Sequence, residues 1–189
     1  MSSNQFIAKC FYSSIIIITL LFTIISMLTP GWRIIIKGNQ IGEYDQSKII
    51  NSGIFICDTE GMADCMAKRS TVDTLIGVLL ILVILFELIA LGWSIAALVF
   101  DEKEGITNQK RILFTPLPIF SFIICILFLF VILLFLLKQN GQIEFDINMS
   151  VAKGATIGYS FIICCFGFIF AICSILPGLF LTLLKENIT

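Results

Sequence analysis

The sequence predicts a membrane-embedded bundle of four α-helices that carries a small outer antiparallel β-sheet. Three observations predict it. The 189 residues are 58% hydrophobic and 13% charged, whereas a water-soluble domain has about 45–50% and about 25%. Four apolar runs cover residues 11–29, 72–100, 112–137 and 155–184, and a bilayer core needs roughly 20 helical residues per crossing. Between the first two runs lies a long polar stretch with β-branched segments and two cysteines.

The elements follow in order as one tetraspan domain. Spans are expected over about 10–29, 71–100, 112–137 and 154–184, joined by loops over 30–70, 101–111 and 138–153, with a tail over 185–189. The first run is about one bilayer long, and the others have residues to spare, so they tilt or project. Charges bound the runs: Lys9, Arg69, Asp73, Asp101, Arg111, Lys138, Lys153 and Lys185. Helices are the economical form because every backbone amide in lipid must pair internally. The first run ends in Thr29-Pro30-Gly31-Trp32 without a small-x-small cleavage pattern, so it is expected to stay as an uncleaved signal anchor.

In the first loop, Trp32-Arg33-Ile34-Ile35-Ile36-Lys37 reads as a strand, Gly38-Asn39 as a turn, and Lys48-Ile49-Ile50 and Gly53-Ile54-Phe55-Ile56-Cys57 as further strand. In the second, Ile143-Glu144-Phe145-Asp146-Ile147 alternates with period two, as a half-buried strand does. The two loops are expected to pair into one sheet, with the second-loop strand beside the first loop's.

Composition excludes several functions. Lys+Arg is 12 against Asp+Glu 13, a net charge of −1, so no basic surplus exists for nucleic acid. The absence of histidine removes imidazole-based triads and most zinc and haem sites. No glycine-rich phosphate loop, paired carboxylates or nucleophile with a base appears, so no enzyme, metal or cofactor is expected.

Basic residues do not settle orientation. With both termini inside, the outer loops hold Arg33, Lys37, Lys48, Lys68, Arg69, Lys138 and Lys153, against Lys9, Lys103, Lys110, Arg111 and Lys185 within. That opposes the positive-inside tendency, although acidic residues balance the outer set. The cysteines decide. Cys125, Cys164, Cys165 and Cys173 lie in apolar runs and read as small buried hydrophobes. Cys57 and Cys65 stand in the first loop with seven residues between them. A disulfide there contributes about 2.5 kcal/mol by loop closure and requires an oxidising compartment. The alternative is two free cytosolic thiols. The disulfide reading puts the first loop outside and both termini in the cytosol, in the plasma membrane.

Further positions carry specific chemistry. Glu87 is the one acidic residue deep in a span, expected protonated or bonded to hydroxyls such as Ser13, Ser14, Thr19, Thr23, Ser121, Tyr159 or Ser160. A proton relay or contact with a partner's helix are its other readings. Cys10 is a palmitoylation candidate at the inner end of the first span. Asn148-Met149-Ser150 is a glycosylation sequon close to the fourth span. Gly154 and Gly158 form a small-x3-small match where helices are expected to approach closely.

These residues together resemble the claudin superfamily of four-transmembrane proteins, with its peripheral-myelin-protein and epithelial-membrane-protein relatives, channel-associated gamma subunits and invertebrate Clc-like proteins. The resemblance rests on Pro30, Trp32 and Arg33 at the loop entry, on Gly53-Ile54-Phe55 before Cys57 and Cys65, and on Gly154-Ala155-Thr156-Ile157-Gly158-Tyr159-Ser160-Phe161. The Thr-Pro-Gly-Trp form looks most like the Clc-like branch. The chain departs from the usual Gly-Leu-Trp-x-x-Cys pattern in having Phe55 and a single residue before Cys57, and its Asn187-Ile188-Thr189 ending lacks a large apolar last residue. The resemblance implies a structural role at cell–cell contacts or in a paracellular barrier, with neighbours in cis and in trans. Its alternatives are an auxiliary subunit of an ion-channel partner and a membrane organiser. The expected associates are membrane lipid and homo- or hetero-oligomers of tetraspan proteins. Trp32 is expected to anchor at the outer interface, and Phe55 to pack beneath the sheet beside the disulfide.

Overall fold

A computed structural model describes residues 3–37, 48–54, 70–102, 116–140 and 156–186. Four long helices form a packed bundle: α1 (Ser3–Leu28), α2 (Thr71–Glu102), α3 (Pro116–Gln139) and α4 (Tyr159–Glu186). Each contains a stretch long and apolar enough to cross a membrane.

The buried positions of all four helices follow one rule. On α1 they include Lys9, Tyr12, Ile16, Thr19, Thr23 and Ser26, and on α2 Ile76, Leu80, Val83, Glu87, Ala90, Ser94 and Ala97. On α3 they include Leu117, Ser121, Ile124, Phe128, Val131 and Phe135, and on α4 Ser160, Cys164, Gly167, Ala171, Ser174, Gly178 and Leu181. Steps of three and four alternate throughout, the repeat that keeps one seam facing its neighbours in a left-handed bundle. The seams are rich in small and hydroxyl residues, while Phe11, Leu21, Leu85, Phe122, Phe130 and Leu176 face outward. This inverted distribution suits lipid, where close backbone approach and interhelical hydrogen bonds replace hydrophobic driving force.

The helices do not end at one level. Thr23 on α1 meets Glu87 on α2. Five residues separate Thr23 from the end of α1, about 8 Å of helix, whereas sixteen separate Glu87 from the start of α2, about 24 Å. α2 therefore runs about 16 Å beyond α1. Its first turn is capped by Ser70, whose Oγ accepts the Val72 amide at 3.3 Å. Asp73 in that turn pairs with Lys138 in the last turn of α3 at 2.6 Å, so the projecting ends of α2 and α3 are tied together. Both charges also complement their helix dipoles.

Beside these projecting ends lie three strands, β1 (Arg33–Lys37), β2 (Lys48–Ser52) and β3 (Thr156–Ile157), in the order β2-β1-β3. β1 pairs antiparallel with β2 from Arg33↔Ser52 to Lys37↔Lys48. It pairs antiparallel with β3 at Arg33↔Ile157 and Ile34↔Thr156. β2 stops at Ser52, and Ile54 turns into the core at 3% exposure. The expected second-loop strand at 143–147 and the Gly38-Asn39 turn lie outside the described residues. Among the described residues, the strand that pairs with β1 on its other edge is the short segment entering α4.

Gly158 is not on a helix, so the expected small-x3-small approach of helices does not apply to it. Its lack of a side chain serves a backbone approach: a Cβ there would run into the carbonyl of Gly31. Gly158→Ala should therefore cost about 3 kcal/mol or more. Gly92→Ala, in open space on α2, should be neutral or stabilising by up to about 1 kcal/mol. Melting temperatures of the purified variants in one detergent check both.

Candidate functional site

The corner where α1 gives way to β1 is built from the residues Pro30 to Arg33. Thr29 continues the helical pattern, its amide reaching the Ile25 carbonyl at 3.0 Å. Pro30 supplies no donor, so the regular ladder ends here. The entry to α4 is stitched onto this corner: the Gly158 amide donates to Trp32 O at 3.0 Å and the Ser160 amide to Gly31 O at 2.9 Å. The Thr29 and Ser160 hydroxyls lie 2.6 Å apart. These bonds set the end of α1 and the start of α4 at one height.

Trp32 turns back into the bundle and is 1% exposed. Its Nε1–H donates to the Ser26 carbonyl at 2.7 Å. Its ring meets Phe135 of α3 edge-on at 5.3 Å and Phe161 of α4 at 6.0 Å, and those two rings stack at 4.4 Å. Trp32 is thus a core plug joining β1 to α1, α3 and α4. That corrects its expected role as an interfacial anchor: with its N–H satisfied inside, the indole has no reason to stay at the headgroups.

Directly beneath this aromatic cap lies a polar cluster. Ser26 Oγ donates to Thr23 O at 3.0 Å. Thr23 Oγ1 lies 2.9 Å from Thr19 O and 3.0 Å from Glu87 Oε1. Cys164 on α4 faces Ser26 and Glu87. Glu87 is fully buried, and its Oε2 has no hydrogen-bond partner among the described residues. Of the hydroxyls expected to meet it, Thr23 does. Ser13 instead pairs with Ser94 at 2.7 Å, and Ser121 with Tyr12 at 3.1 Å. Ser14 and Thr19 bond within α1 to the carbonyls of Cys10 and Ile15. Ser160 belongs to Thr29, and Tyr159 is exposed. Glu87 is also less central than its span suggests, because Thr23 stands so near the end of α1.

The other sequence-predicted residues divide in two. Pro30 and Gly53 are half-buried, flanking the strands, and Arg33 opens β1. Cys10 is half-buried with a free thiol. Phe55, Cys57, Cys65 and Asn148 lie outside the described residues. Sequence reasoning missed Ser26, Ser94 and Phe135, and read Cys164 only as the small buried hydrophobe that its burial confirms. Their signal was the alternating three-four spacing of small, hydroxyl and aromatic residues inside runs that read as uniformly apolar. Among the described residues no cluster of three metal-ligating side chains exists.

With this geometry in view, comparison with known proteins gives one finding. The model of a family described as "Tight junction protein, Claudin-like" matches residues 1–186. No curated protein matches the chain.

Replacing Trp32 tests the corner. Trp32→Phe keeps an aromatic plug but loses the bond to Ser26 O, and should cost about 1–2 kcal/mol. Trp32→Ala opens a cavity between Phe135 and Phe161 and should cost about 3–5 kcal/mol. Denaturation monitored by circular dichroism ranks the two.

Proposed function

The chain belongs to the claudin-like tight junction protein family, a structural and non-enzymatic family, and from that premise we propose that it acts at cell–cell contacts as part of a paracellular barrier. The observation that carries this reading is the family match over nearly the whole chain. The local geometry supports it, because β1 is fastened to α1, α3 and α4 through Trp32 and to α4 through β3. A surface that must bear on a neighbouring cell needs such a rigid seat.

The proposed orientation has the β1 side of the bundle outside and both termini in the cytosol of a plasma-membrane protein. The first and second outer loops together form the contact layer, clamped by a Cys57–Cys65 disulfide. Copies of the chain, or related tetraspan proteins, associate in cis in the membrane and in trans across the cleft. The first-loop charges balance, with Arg33, Lys37, Lys48, Lys68 and Arg69 against Glu43, Asp45, Asp58, Glu60 and Asp64. A seal is therefore favoured over a strongly ion-selective pore.

A tagged copy expressed in a polarised epithelium tests the function. Enrichment at lateral contacts with raised transepithelial resistance is expected. Uniform distribution, or co-purification with one channel and unchanged resistance, would refute it. For the orientation, an impermeant thiol reagent on intact cells should label Cys57 and Cys65 only after reduction. Labelling without reductant would refute the disulfide, and failure to label after it would refute the outside placement.

A further inference from the structure

The hydroxyls of α1 follow a donor–acceptor pattern that decides how Glu87 is built in. A hydroxyl has one hydrogen to give and two lone pairs to receive with. Ser13 Oγ donates to Lys9 O at 3.0 Å, so its 2.7 Å contact with Ser94 must receive the Ser94 hydrogen. Thr29 Oγ1 donates to Ile25 O at 2.7 Å and lies 2.6 Å from Ser160 Oγ, whose one hydrogen is shared between Thr29 Oγ1 and Thr29 O, the latter 3.3 Å away. In both cases the α1 hydroxyl gives its proton to its own helix and accepts one from the neighbour. Thr23 repeats the arrangement, 2.9 Å from Thr19 O and 3.0 Å from Glu87 Oε1. The neighbour here is a carboxyl group, and it can donate only if it carries a proton.

We propose that Glu87 stands in the bundle as a neutral carboxylic acid, donating its own proton to Thr23 Oγ1, and that this bond positions the Thr23–Ser26 segment on which Trp32 rests. In the opposite assignment Glu87 is ionised, and Thr23 has one hydrogen for two acceptors. The carboxylate then keeps at most one bond while Oε2 has none among the described residues. A buried charge with so little support is far more costly than the unpartnered carbonyl oxygen of a neutral acid. Among the described residues, the groups that face Glu87 are Thr23 on α1 and Cys164 on α4. The basic side chains described in the helices are distant. Lys9 lies fourteen residues from Thr23 along α1, about 21 Å, and Lys138 is held by Asp73, fourteen residues from Glu87 along α2, also about 21 Å. From Thr23 the connection runs through Ser26, whose hydroxyl holds Thr23 O and whose carbonyl receives the Trp32 indole. Glu87 is thus a positioning residue for the corner that carries β1.

Infrared spectroscopy of the full chain in lipid nanodiscs tests the proton, and thermal denaturation tests the positioning. At a pH where exposed carboxyls are ionised, a protonated-carboxyl C=O stretch should persist and vanish in Glu87→Gln. Glu87→Gln should keep its melting temperature within about 2 °C, because the amide still has a donor for Thr23. Glu87→Leu and Thr23→Val should each lower it by about 2–6 °C, and the double variant by less than their sum, since neither partner is then left unpaired. In a Trp93→Phe background, Trp32 emission should be unchanged by Glu87→Gln and red-shifted by Glu87→Leu. Failure of Glu87→Leu to fold while Glu87→Gln folds would support the proposal. Absence of the band, or Glu87→Gln destabilised as much as Glu87→Leu or unfolded, would overturn it. So would a fully additive double variant or unmoved Trp32 emission in Glu87→Leu.

Discussion

The structure depends on one constraint: polar groups inside a lipid-embedded bundle must find partners within the protein. α1 bears most of that burden. Ser13, Thr19, Thr23, Ser26 and Thr29 occur at or beside its buried seam, and each hydroxyl finds an acceptor on α1 itself. The second capacity of Ser13, Thr23 and Thr29 is met by Ser94, Glu87 and Ser160. Tyr12 reaches α3 as well, donating to Leu117 O and receiving from Ser121. One helix thereby makes side-chain hydrogen bonds to all three others. In lipid each such bond contributes only about 0.6 kcal/mol on average, so their larger effect is on register, because a slipped seam would leave several groups unpaired at once.

The same constraint explains the corner above the bundle. α1 ends at Leu28, and α2 and α3 continue past it, which leaves a recess bounded by Phe135 and Phe161. Trp32 fills it and spends its N–H on the Ser26 carbonyl. The chain leaving the plug becomes β1, which accepts β3 at the threshold of α4. Two glycines make this possible. Gly31 has the Tyr159 ring where a side chain would lie, and Gly158 has the Gly31 carbonyl there. Polar column, aromatic plug and strand pairing thus form one continuous path from the membrane interior to the β1 sheet.

The four spans were legible because lipid demands long apolar runs, and β1 because Ile34-Ile35-Ile36 is β-branched. The partner of Glu87 was legible as a class, a hydroxyl on another helix, but not as Thr23, since seven hydroxyls satisfied the same reading. Choosing among them requires the register of α1 against α2, which the three-four spacing of buried residues carries and overall hydropathy hides. The burial of Trp32 was not legible because an amphipathic ring suits an interface as well as a recess. What distinguishes the two is the height of α3, and so the position of Phe135. The start of α4 at Tyr159 was obscured because Thr156-Ile157 is as apolar as the helix that follows, yet it pairs as a strand.

The central claim is that polar pairing fixes the register of α1 in the bundle, and paired cysteines test it most directly. The Ser13 and Ser94 oxygens are 2.7 Å apart, close enough for cysteines there to meet the geometry of a disulfide. Ala90 lies one turn away on the same seam of α2. In a chain whose intramembrane cysteines are replaced by alanine, Ser13→Cys with Ser94→Cys should cross-link on mild oxidation in native membranes. Ser13→Cys with Ala90→Cys should not. Efficient cross-linking of the second pair, or none of the first, would contradict the account.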